Sequence, residues 1–133
     1  MLRTGIAIVA GLIAWVVIVT LLNFGLRASL PGYHAAEATL QFSAMMKAGR
    51  LAEAALSSIA SGAVVKILAP SSRWGGWILG LILLAAFVPV HIQVWNKLPL
   101  WYHLTFLLTL APLVAFGALL AAEIRPNRAP VAA

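Results

Sequence analysis

Between Arg3 and Arg27 the chain carries no charged side chain, and the same holds between Arg73 and Lys97 and between Lys97 and Glu123. Charge-free runs of this length leave a chain few choices. A helix needs about 20 mostly apolar residues to cross the hydrocarbon core of a bilayer. Lipid offers no partner to unpaired backbone groups, so such runs become spanning helices. Composition agrees: hydrophobic residues make up 63% and charged residues 9%, against roughly 25% charged in soluble domains. The 133 residues hold at most about four or five spans and no separate soluble domain, which excludes Rossmann folds and nucleotide-driven motors.

The sequence predicts an all-α transmembrane four-helix bundle of antiparallel hairpins, a single integral membrane domain over 1–133. Spans are expected at about 5–26, 50–69, 74–95 and 99–122, with an interfacial loop over about 27–49 and a short, disordered tail over 123–133. A signal peptide would have an apolar core of about 7–15 residues and a small-residue cleavage site. The first run is longer and ends Asn23-Phe24-Gly25-Leu26-Arg27, so it reads as a retained helix. Leu30-Pro31-Gly32 marks a turn, and Tyr33 to Gly49 fits both helical and alternating templates, as a partly helical interfacial segment would. In the second span Ala54, Ser58 and Gly62 recur every four residues, the small-xxx-small pattern that lets helix backbones approach. Pro70 ends that span, and Pro89 and Pro112 are kink sites within the next two.

Four spans put both termini on one side, with Arg3, Lys66, Arg73, Arg125 and Arg128; Arg27, Lys47, Arg50 and Lys97 lie opposite. By the positive-inside rule the termini are cytoplasmic, by a margin of one charge. Trp74 and Trp77 are expected in one interfacial belt, and Tyr33, Trp95, Trp101 and Tyr102 in the other. The net charge of +6 is read as helix orientation and contact with anionic headgroups, not nucleic-acid binding.

Few residues offer chemistry. Aspartate and cysteine are absent, so no Ser/His/Asp triad, disulfide, thiolate site or cysteine nucleophile can form. His91 and His103 flank the last turn at similar depth and could form a ligand pair for haem b, copper or zinc, with His34, Met45, Met46 or Glu37 assisting. The competing reading makes them amphipathic side chains at the headgroup level beside Trp95 and Trp101. Asn23, Gln93 and Asn96 could join the two histidines in a small polar pocket. Glu53 is the one acidic residue inside a span, which makes it a candidate for a proton or cation path. It also lies in the expected first helical turn, three residues after Arg50 and within reach of an ion pair.

The stretch from His91 to Leu119, opening His-Ile-Gln-Val-Trp-Asn-Lys-Leu-Pro-Leu-Trp-Tyr-His-Leu-Thr-Phe, together with Leu-Leu-Asn-Phe-Gly-Leu-Arg at 21–27 and Leu-Pro-Gly-Tyr at 30–33, resembles small uncharacterised four-span inner-membrane proteins of Gram-negative bacteria. The resemblance implies a bacterial inner membrane and supplies no activity. The first expectation is therefore a non-enzymatic accessory or assembly subunit of a larger membrane complex, or a self-associating homo-oligomer. The second is a metal- or haem b-binding protein using His91 and His103, and the third a small proton or solute carrier using Glu53.

Overall fold

The computed structural model describes residues 1–125; residues 126–133, with Arg128 and most of the expected tail, lie outside the described residues. Five helices follow in order: α1 (Leu2–Ser29), α2 (Tyr33–Thr39), α3 (Ala44–Leu68), α4 (Gly75–Gln93) and α5 (Leu100–Ile124). There is no strand among the described residues. Helices α1, α3, α4 and α5 are long and apolar enough to cross a membrane, with mean hydropathies of 2.7, 1.5, 2.0 and 2.2 over their spanning windows. The protein is an all-α four-helix bundle that crosses the membrane in several passes. Ile13, Leu21, Leu81, Leu108 and Leu119 are among its many exposed apolar residues, a surface that suits lipid and would aggregate in water.

Helix α3 is the least apolar of the four and packs against the other three. Small residues make this possible. Ala54, Ser58 and Gly62 are all buried. A Cβ on Gly62 would overlap the Val114 carbonyl, and one on Gly117 would overlap the Ile59 carbonyl. The α3 and α5 backbones therefore touch with no side chain between them, and only glycine permits this at both points. The hydroxyls of Ser57, Ser58 and Ser61 return to carbonyls of α3 at 2.7, 2.7 and 2.8 Å, so each polar group is satisfied without water. Helix α1 is the least embedded: 17% of its spanning window is buried, against 39% for α3 and α5.

Helix α3 starts at Ala44 rather than near Arg50, because the Ser43 hydroxyl accepts the Met46 N–H at 3.2 Å and caps it. Before it, α2 is bracketed by Gly32 and Leu40, both in the left-handed region at φ 77 and 57. That conformation costs a leucine about 1–2 kcal/mol. The turn is held by Phe42, which packs on Tyr33 at 5.7 Å and lies under the Arg50 guanidinium at 4.7 Å. At the opposite end of the bundle Arg3 Nε donates to the Leu68 carbonyl at 2.7 Å and Arg125 Nη1 to the Ile67 carbonyl at 3.2 Å. The start of α1 and the ends of α3 and α5 thus lie at one end, and α2 covers the other.

Candidate functional site

The covered end holds a polar network drawn from four helices. Tyr33 in α2 is fully buried, and its hydroxyl donates to Asn23 Oδ1 of α1 at 2.8 Å. Arg50 of α3 donates from Nη1 to that same hydroxyl at 2.8 Å and from Nε to the Tyr102 hydroxyl of α5 at 3.2 Å. Asn23 Nδ2 donates to Glu37 at 3.1 Å, and Arg27 grips the Glu37 carboxylate with two nitrogens, the shorter contact 2.7 Å. The Arg27 hydrogen bond holds the Glu37 carboxyl below the usual carboxylate range. Burial pushes the Tyr33 phenol up, with the positive charge and hydrogen bond of Arg50 opposing it. Of the four aromatics expected in the second belt, Tyr33 and Tyr102 are buried in the protein, while Trp95 and Trp101 stay exposed. Both phenols turn inward to the half-buried Arg50 guanidinium, which donates to their hydroxyls.

Beside this network lies a cavity of about 430 Å³ between α1 and the other three spans. Trp15, Phe87, Phe106 and Ala54 form its apolar wall; Asn23, Arg50, Tyr102 and Glu53 form its polar one. Thr20, Phe24 and Arg27 also line it and are exposed, so it reaches the protein surface. Glu53 is 7% exposed, and its Oε2 is the only buried side-chain nitrogen or oxygen among the described residues without a hydrogen-bond partner. The ion pair expected between Glu53 and Arg50 is not made. Arg50 spends Nε and Nη1 on the two phenols, which come from other helices and are invisible to spacing along α3.

The structure does bring His91 and His103 together, with Nδ1 to Nδ1 at 2.8 Å. His103 Nε2 lies 3.2 Å from the Trp95 carbonyl oxygen, which can only accept. With neutral rings His103 carries its proton on Nε2 and His91 donates from Nδ1 to His103 Nδ1. Both Nδ1 atoms are consumed, and a single lone pair, on His91 Nε2, is left for a ligand. A haem iron between the rings would need both nitrogens to face the metal across the macrocycle, and a tetrahedral site would need further ligands. Neither fits this pair. His103 is fully buried under Trp95, the ring planes 10° apart at 4.6 Å, and His91 packs on Phe106 at 4.6 Å. The pair is a polar rivet between α4 and α5.

The remaining candidates lie elsewhere. The His34 side chain is 80% exposed and sits 3.5 Å from Glu37. Met45 is exposed in the first turn of α3. No three His or Glu side chains that could hold a metal converge among the described residues. The five-residue polar pocket does not form: Asn23 belongs to the Tyr33 network, and Gln93 and Asn96 are exposed. Sequence reasoning missed Tyr33, Arg50 and Tyr102 as one unit. A half-buried arginine between two buried tyrosines is the signal, and it appears only once the helices are arranged.

No protein-family model, curated protein or solved structure matches the chain.

Proposed function

We propose that the chain is a small, non-enzymatic carrier that binds a proton or a small solute at Glu53. What supports this reading is the Glu53 carboxyl, buried in a membrane span at the wall of a surface-connected cavity and left without a hydrogen-bond partner. An unpaired polar group in lipid costs several kcal/mol, and such groups in membrane proteins mark ion and proton paths. Proton flux into liposomes carrying the purified protein tests it. Glu53→Gln should lower the flux at least about tenfold, and flux unchanged by the substitution removes the reading.

A second reading, association with another copy or with a larger membrane complex, draws on α1, of which 17% of the spanning window is buried. A particle holding one 14.1 kDa chain in mild detergent counts against it. The location we infer is a bacterial inner membrane with cytoplasmic termini, supported by the resemblance and the one-charge margin. Reporters fused to the two ends that both report from the far side would reverse the orientation.

A further inference from the structure

We propose that the ligand of the α1-facing cavity is an organic ammonium ion with an apolar body, which occupies Glu53 in exchange for a proton. The inference rests on the Glu53 reading and gives it a ligand class. A carboxylate only accepts hydrogen bonds and attracts positive charge. Arg27 is paired with Glu37, and Arg50 directs Nε and Nη1 to Tyr102 and Tyr33 and makes no hydrogen bond to Glu53, so the carboxyl has no ion-pair partner within the chain and a cationic ligand can supply one.

The walls name the kind of cation. Trp15, Phe87 and Phe106 form a run of rings with centroids 5.0 and 5.1 Å apart, all lining the cavity. Aromatic faces next to a carboxylate are the chemistry that recognises ammonium groups. A bare calcium ion wants about six to eight oxygen ligands, more than Glu53, Asn23, Thr20 and Tyr102 supply. About 430 Å³ also far exceeds what one ion or water needs and suits a small organic molecule. An organic anion would meet Arg27 and Arg50, but it would also meet a carboxylate.

The exchange balances. A protonated Glu53 that takes up the ammonium ion gives one proton to solvent and becomes the carboxylate partner of the cation. The titratable and charged groups around it are Arg27 from α1, Tyr33 and Glu37 from α2, Arg50 from α3, His91 from α4, and Tyr102 and His103 from α5. The arginines keep their charge across the working range, Glu37 is paired with Arg27, the phenols with Arg50 and the histidines with each other, which leaves the unpartnered Glu53 as the group that trades its proton.

The test is a calorimetric titration of the detergent-solubilised full chain with benzyltrimethylammonium, its neutral carbon isostere neopentylbenzene, and benzenesulfonate. The cation should bind at least tenfold more tightly than the isostere. Its affinity should rise up to tenfold per pH unit while Glu53 holds its proton, with about one proton released per cation bound. Glu53→Gln should lose tenfold or more in cation affinity and all of the pH dependence, with isostere binding unchanged. Phe87→Leu keeps the carboxyl and should weaken the cation several-fold and the isostere little. Equal binding of the isostere, preference for benzenesulfonate, or cation binding that survives Glu53→Gln overturns the proposal. If no cation binds while Glu53→Gln still abolishes proton flux, the ammonium class falls and the carrier reading stands; if the flux is also unchanged, both fall.

Discussion

One helix, α3, presents two opposite kinds of contact. Toward α5, at Gly62, it meets the partner backbone directly, with no room for a methyl group. Toward α1, at Glu53, it borders an opening of about 430 Å³. The boundary is the hydrogen bond from Trp15 Nε1 to the Ser58 hydroxyl, 3.0 Å long and buried between the two regions. The difference teaches that close packing and an open cleft are separated along a single element. The backbone contacts at Gly62 and Gly117 fix α3 against α5, and a fixed α3 holds the Glu53 side chain at the cavity wall.

The contrast can be broken at the seam first. Gly62→Ala puts a methyl group into the Val114 carbonyl, which is backbone and cannot rotate away. A loss of about 3 kcal/mol or more is expected, the upper end for overpacking, read from thermal unfolding in detergent; Gly117→Ala should behave alike. A Gly62→Ala protein as stable as its parent would erase the distinction between the two faces. At the cavity wall the effect should be intermediate. Arg50→Met removes the donor to both hydroxyls and should cost about 1–3 kcal/mol, because the Tyr102 hydroxyl is left without a partner while Tyr33 keeps Asn23. A cost below that range would mean that water entering the cavity replaces the guanidinium.

The smallest effect lies at the rim. Arg27 depresses the Glu37 carboxyl below its ordinary value of 4.5. A depressed acid contributes stability that is present above its unfolded value and is lost as pH falls through the folded one. The difference in unfolding temperature between the parent and Glu37→Gln should therefore shrink as pH falls below 4.5. Salt should shrink the same difference, because the pair is partly exposed. A profile that Glu37→Gln leaves unaltered would show that the rim contributes nothing.

The bundle was legible from runs without charge, because span length is set by the bilayer and not by partners. The recurrence of Ala54, Ser58 and Gly62 at every fourth position was equally readable, since helical geometry alone puts them on one face. Its counterpart was not. Gly117 sits opposite Ile59 by virtue of the register between α3 and α5, which no single helix encodes. The histidine pair could be placed at one depth by counting from the last turn, but its tautomers depend on the Trp95 carbonyl. Spacing along one helix likewise pointed Arg50 at Glu53, whereas the hydroxyls of Tyr33 and Tyr102 arrive from α2 and α5. Where a side chain chooses between a neighbour on its own helix and partners from others, the pattern of one helix cannot say which wins.

The two arginines at the last carbonyls of α3 bear on how the polypeptide is made. Arg3 is translated early and has no acceptor until Leu68 has emerged. Arg125 follows at the end of α5 and takes the adjacent Ile67 oxygen. The Arg125 contact can therefore form only after both acceptor carbonyls exist, and a chain that stops before α5 leaves the exposed Ile67 oxygen to water or headgroups.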